Sequence, residues 1–181
     1  MINIKPLKAY TDNYIWLLET NEEVSVVDPG DAKPVLDYLS KTNKNLRDIF
    51  ITHHHFDHTA GVPELENIIS GSIYGPKNSY ELINEKVTQG DTLSSLGIKF
   101  EIIEVPGHTL DHIAFYNEEN NILFCGDTLF AGGCGRVFEG TYEQMYESLK
   151  KIKLLPSNTL IYCAHEYTKS NLLWALNIYP E

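Results

Sequence analysis

Asp48-Ile49-Phe50-Ile51-Thr52-His53-His54-His55-Phe56-Asp57-His58 joins an apolar run to four imidazoles and one carboxylate packed into six positions. Asp48 to Thr52 predicts a strand that runs straight into the cluster. In an extended segment alternate side chains share a face, so His53, His55 and Asp57 point together while His54 points away. His58 joins that face only where the chain bends just after Asp57. Nitrogen and oxygen donors at this density are first-row metal chemistry rather than turn chemistry.

The junction recurs along the chain. His108 follows Ile102-Ile103-Glu104-Val105, Asp127 follows Ile122-Leu123-Phe124-Cys125, and His165 follows Leu160-Ile161-Tyr162-Cys163. All seven histidines fall in these segments, counting His54 in the cluster and His112 four residues after His108. Sites of open α/β sheets gather beyond strand ends, so four such loops converge on one place. A structural site closes with four ligands. Here the candidates number about seven, enough for two metals that keep positions open for water and substrate.

Between these junctions the pattern alternates. Ile2 to Lys5, Tyr14 to Glu19 and Val24 to Asp28 read as short strands, the last stopped by Asp28-Pro29-Gly30. Asp31 caps a helix with Pro34 in its first turn and Val35, Leu36 and Leu39 as its apolar stripe. Pro63 to Ile69 reads as helix, Ser72 to Tyr74 as strand, Ser79 to Ile83 as a helical turn or two, and Gly90-Asp91 as loop. Ile98 to Val105 is a strand, and Ile113 to Tyr116 pairs with Ile122 to Cys125 across a polar turn. Thr141 heads a helix to Lys153 with Met145, Leu149 and Ile152 on one stripe, and Lys150, Lys151 and Lys153 form its solvated end. Thr159 to Cys163 is the last strand and Ser170 to Ile178 the last helix. The alternation predicts a layered α/β protein with helices covering a mixed sheet.

The 181 residues, 43% hydrophobic with a mean hydropathy of -0.23, suit one domain with a sizeable core. A formal charge of -11 argues against nucleic acid, which needs a basic patch to neutralise phosphates. No run reaches the roughly 18 apolar residues of a membrane span, and no secretory signal pattern opens the chain. The expected setting is the cytoplasm, with no membrane partner and a monomeric state. Cys125 and Cys163 sit in apolar runs as packed thiols, whereas Cys134 lies between glycines in a loop.

The His-x-His-x-Asp-His order, Gly107-His108-Thr109, Cys125-Gly126-Asp127-Thr128 and the late His165 together resemble the metallo-β-lactamase superfamily. Tyr10 to Trp16, Val27-Asp28-Pro29-Gly30, Gly126 to Phe130, Gly133-Cys134-Gly135-Arg136 and His165-Glu166-Tyr167-Thr168 narrow the resemblance to its glyoxalase II subfamily. The resemblance covers essentially the whole chain. It implies a four-layer αββα fold of two mixed sheets packed face to face with helices outside. Residues 1–168 would be the catalytic domain and 169–181 the start of a truncated C-terminal helical region.

The resemblance also implies roles. His53, His55 and His108 would bind one metal, Asp57, His58 and His165 the other, and Asp127 would bridge them, with Asp57 and Asp127 as catalytic carboxylates. Arg136 and Tyr167 would contact the glutathione part of the substrate. Two divalent ions, zinc foremost with iron or manganese as substitutes, would lower the pKa of a bridging water, whose hydroxide cleaves the thioester of S-2-hydroxyacylglutathione (S-D-lactoylglutathione as type). Hydrolysis of another thioester or of a β-lactam by the same centre is the alternative. His54 is read as a non-ligand, His112 as a partner outside the ligand sphere or a core residue, and Asp28 as a ligand-orienting or turn-forming carboxylate. Asp111 departs from the subfamily, where glycine usually precedes the position of His112.

Overall fold

Side chains of successive strand residues face opposite ways, and in this chain both faces are apolar along the central strands. The computed structural model describes residues 2–78 and 80–178. Its first sheet holds β1 (Asn3–Ala9), β2 (Asn13–Glu19), β3 (Glu23–Val27), β4 (Asn45–Phe50), β5 (Ile73–Pro76) and β6 (Glu85–Val87), in that spatial order. Pairing is antiparallel from β1 to β3 and parallel from β3 to β6. The second sheet is built from β7 (Thr92–Ser95), β8 (Ile98–Glu104), β9 (Ile113–Asn117) and β10 (Ile122–Gly126). After a short ribbon of β11 (Leu129–Phe130) and β12 (Gly133–Cys134), β13 (Leu160–Cys163) joins that sheet beside β10 and parallel to it.

Three apolar layers follow from the alternation. Leu18, Val27 and Phe50 of the first sheet meet Phe100, Ile102, Phe115 and Phe124 of the second. Their neighbours Leu17, Val26 and Ile49 turn outward to pack with Val35 and Leu39 of α1 (Ala32–Thr42), while Val62 and Leu65 come from α3 (Val62–Leu65). On the far side Ile103, Ala114, Leu123 and Cys125 pack with Ile152 of α4 (Tyr142–Lys153). The order is therefore helix, sheet, sheet, helix, as expected. Phe50 sits 5.1 Å from Phe115 and 5.5 Å from Phe100 between ring centroids, and removing such a buried ring costs about 3–5 kcal/mol.

Local signals hold at the two main helices. Asp31 accepts the Lys33 amide at the start of α1, and Thr141 and Gln144 form a reciprocal capping box at α4. The buried stripe of α4 is Met145, Ser148 and Ile152 rather than one through Leu149; Ser148 is accommodated because its hydroxyl donates to the Pro106 carbonyl at 2.7 Å. β1 extends to Ala9 because it pairs with β2 along its whole length. Strands β6 and β7 went unread, being short and polar. Of the segment Ser79 to Ile83, Ser79 lies outside the described residues, and Tyr80 to Ile83 forms a turn rather than helix. Cys134 belongs to β12, exposed but paired in the ribbon, and the three cysteines are free. No described helix is long and apolar enough to cross a membrane.

Candidate metal centre

The strand β4 ends at Phe50, short of the expected Thr52, and α2 (Phe56–Thr59) follows His55, so the chain turns helical ahead of Asp57 rather than just after it. His53 and His55 come from the irregular stretch, Asp57 and His58 from the helical turn. Loops after β8, β10 and β13 bring His108, Asp127 and His165 to the same place.

Three imidazole nitrogens converge first. His53 Nε2 lies 3.1 Å from His55 Nδ1, which lies 3.0 Å from His108 Nε2. The tautomers follow from the outer nitrogens. Thr52 Oγ1 donates to Asp28 Oδ2 at 2.7 Å and so accepts from His53 Nδ1 at 3.0 Å; His108 Nδ1 donates to the Arg136 carbonyl at 2.8 Å. Lone pairs on Nε2 of both rings therefore face the cluster. Burial foremost, then the neighbouring imidazoles, lowers the pKa of His53 and of His55, which keeps both neutral.

A second group mixes charge. Asp57 Oδ2 stands 3.4 Å from His165 Nε2 and 3.6 Å from His58 Nε2. Asp127 presents one oxygen to each group: Oδ2 is 3.3 Å from His108 Nε2, and Oδ1 is 3.3 Å from His165 Nε2 and 3.6 Å from His58 Nε2. Burial opposes an imidazolium at His165, yet Asp127 and Asp57 outweigh it and push its pKa up to about 10. His58 is likewise raised, its burial overcome by Asp28 and Asp127. The field that favours protons here favours any cation.

Donor chemistry fits divalent ions. Atoms about 2.1 Å from a tetrahedral centre stand about 3.4 Å apart, close to the spacings found. Neither ring nitrogen of His58 nor Asp127 Oδ1 makes a directed hydrogen bond although all are buried; their partners are oppositely charged groups at 3.1–3.6 Å, which leaves them able to take an ion. Among the described residues, His53–His55–His108, His53–His58–Asp127 and Asp57–His58–His165 are the sets outside His54 able to share an ion.

Supporting residues divide into expected and missed. His112 is fully buried, stacked on His53, and its Nε2 accepts the Asp127 amide at 3.1 Å, so it holds the site from behind the donors. Asp28 serves both readings: at φ 51 it shapes the turn, and its carboxylate takes the Thr52 amide and hydroxyl and lies 3.1 Å from His58 Nδ1. Gly126, at φ 49, lies where a Cβ would come within 2.4 Å of Thr52 Oγ1, so the approach of β10 to the cluster requires glycine. His54 turns away, between Asp111 Oδ1 at 3.0 Å and Glu139 Oε1 at 3.1 Å. Asp111 also accepts from Asn78 at 2.6 Å and ties loops together outside the donor sets. Asp12 and Asn13 were not singled out by the sequence reading. Asp12 Oδ1 lies 2.8 Å from His165 Nδ1, and Asn13 Nδ2 donates to Asp57 Oδ2 at 2.9 Å.

A cleft of about 830 Å³ opens over the donors, lined also by Phe56, Phe130, Arg136, Phe138 and Tyr167. Arg136 is exposed, its guanidinium 5.6 Å from the Phe138 ring centre. Tyr167 stacks on His165 at 4.8 Å, and burial raises its pKa to about 12, leaving a neutral hydroxyl.

Residues 11–165 match the family model described as the metallo-beta-lactamase superfamily. The chain is 47% identical over 183 residues to a hydroxyacylglutathione hydrolase of Idiomarina loihiensis, covering 99% of this chain and 72% of that protein. It is 50% identical over 187 residues to a hydroxyacylglutathione hydrolase of Pseudoalteromonas translucida, covering 99% and 71%. A crystal structure of TTHA1623 in a di-iron-bound form superposes with a TM-score of 0.75 at 26% identity, covering 90% of this chain and 92% of that one. The chain belongs to the metallo-β-lactamase superfamily and, within it, to the hydroxyacylglutathione hydrolase family.

Proposed function

We propose that this chain is a dimetal thioester hydrolase that cleaves S-2-hydroxyacylglutathione, with S-D-lactoylglutathione as type substrate, to glutathione and a 2-hydroxy acid. The observation that carries it is Asp127, whose two oxygens each face a separate donor group at 3.3 Å. The half-identical relatives, named hydroxyacylglutathione hydrolases, supply the substrate class. His53, His55 and His108 would hold one ion, Asp57, His58 and His165 the other, and Asp127 would join them. Two bound divalent ions supply a water of lowered pKa and positive charge for the developing oxyanion. Zinc leads the assignment; iron and manganese suit the same nitrogen and oxygen donors.

The chain's own groups do the rest. Arg136 is the only lysine or arginine among the described residues lining the cleft, and in a protein of formal charge -11 it is what draws a glutathione carboxylate there. Tyr167 offers a neutral hydroxyl as hydrogen-bond donor beside it. Phe130 and Phe138 wall the cleft with apolar rings. Asp57, held through its carboxylate by Asn13, keeps an anionic oxygen fixed toward the reacting centre. No general acid is required of the protein, because a thiol with an ordinary pKa near about 8.5 departs as thiolate. Residues 1–168 are assigned to this chemistry, and the helix α5 (Thr168–Ile178) closes the described part of the chain. The free cysteines suit a reducing cytoplasm.

The test is turnover of a glutathione thioester by zinc-loaded protein, against its Asp127→Ala variant and against the same acyl group on a plain thiol. Cleavage that prefers the glutathione thioester supports the assignment. Equal rates on both thioesters, or a faster reaction with a β-lactam, would move the chain to another substrate of the same centre.

A further inference from the structure

We infer that the turn Tyr10–Asp12 between β1 and β2, together with Asn13 at the head of β2, is a positioning device for one ion of the pair, the one assigned to Asp57, His58 and His165. The inference rests on the two-ion reading above and assigns its second half an anchor. Asp12 and Asn13 are consecutive, and each grips a different donor of that set. His165 Nδ1 donates to Asp12 Oδ1 at 2.8 Å, which leaves Nε2 as the nitrogen turned to Asp57 and Asp127 and available to an ion. Asn13 Nδ2 donates to Asp57 Oδ2 at 2.9 Å and reaches the Asp57 carbonyl at 3.3 Å.

The backbone fastens the same pair of loops. Tyr14 N donates to the Ala164 carbonyl at 2.7 Å and Glu166 N to the Asp12 carbonyl at 2.9 Å, so the loop carrying His165 is laced to the turn on both sides. Tyr10, in the left-handed region at φ 49, donates its hydroxyl to the Gly30 carbonyl at 2.5 Å. A Cβ on Gly30 would fall 1.8 Å from the Asp57 carbonyl oxygen, so the Tyr10 ring closes over a backbone packed directly on the donor loop. The other set takes no support from this turn: the outer nitrogens of His53 and His108 bond Thr52 and the Arg136 carbonyl.

A carboxylate on the outer N–H of a ligating imidazole fixes its tautomer and raises its basicity, and losing it typically costs about 10–100-fold in metal affinity. Asp12 is 34% exposed, so truncating it admits water rather than leaving a void. The experiment is titration of the metal-free protein with zinc, and separately with cobalt read by its visible absorption, for wild type, Asp12→Ala, Asn13→Ala and Asp12→Glu. Wild type should take up two ions. Asp12→Ala and Asn13→Ala should weaken one step about 10–100-fold, with cobalt bands altered for that ion alone, an unchanged melting temperature of the metal-free protein, and recovery in Asp12→Glu. In a His108→Ala background, which removes a donor from the other set, Asp12→Ala should still weaken the ion that remains. Equal weakening of both steps, no weakening, or a melting temperature that falls along with both affinities would overturn the inference. A wild type that binds fewer than two ions would instead overturn the two-ion reading beneath it.

Discussion

His53 and His55, kept neutral by burial, meet at 3.1 Å with His108 3.0 Å from His55, whereas Asp57, His58 and His165 combine a carboxylate with two imidazoles whose pKa values are raised. In the first group, burial of His53 and His55 already disfavours their charged forms, so lone pairs wait for an ion. In the second, carboxylates hold protons that an ion must displace. One site thus contains two solutions to the same problem: neutrality by desolvation, and charge balance by pairing. Asp127 belongs to both, with an oxygen toward each.

Asp127→Ala tests the comparison at its hinge and should have the largest effect. It strips the shared carboxylate and leaves Asp57 as the carboxylate on the Nε2 side of His58 and His165. Thioester turnover should fall about 10³-fold, read by initial rates at measured metal content.

Acidification should separate the two groups. His165, with a pKa raised to about 10, carries a proton below that pH, and that proton alone costs its ion about tenfold in apparent affinity per unit of acidification. His53 and His55, lowered by burial, resist protonation until more acid conditions. Chelator competition between pH 8 and pH 5 should show one ion leaving first; simultaneous loss of both would contradict the division.

Arg136→Ala probes the cleft instead of the donors. KM for the glutathione thioester should rise about tenfold with kcat little changed, since the guanidinium binds a part of the substrate remote from the reacting bond. Metal content should stay at the wild-type level.

The smallest effect is expected at the strap beside the first group. Asp111→Ala should leave both metal affinities unchanged and cost about 1 kcal/mol in urea unfolding, because it frees Asn78 and His54 without touching a donor atom.

The donors were legible because each is a local event, an apolar strand that ends in a metal-seeking side chain. Their supports were not. Asp12 meets His165 across 153 positions and Asn13 meets Asp57 across 44, and although each end lies in a motif, nothing local says which end meets which. β6 and β7 escaped for a related reason, since β7 is Thr-Leu-Ser-Ser, and its buried Ser95 makes sense only against Ser25 and Asp48 on the facing sheet. The sequence around His112 suits a core residue as well as a ligand support, and only the Asp127 amide on its Nε2 distinguishes the two.

By itself the sequence determined the chemistry available: seven imidazoles and the carboxylates at strand ends, a net charge of -11, and strands alternating with helices that cover a mixed sheet. Which nitrogen of each ring faces the site, which carboxylate is shared and which turn holds which donor were decided only by the tertiary structure. Alternation and strand ends arise from neighbours along the chain, but a tautomer is set by whatever occupies the far side of the ring. For His53 that is the adjacent Thr52, for His108 the Arg136 carbonyl, and for His165 a turn 153 residues away.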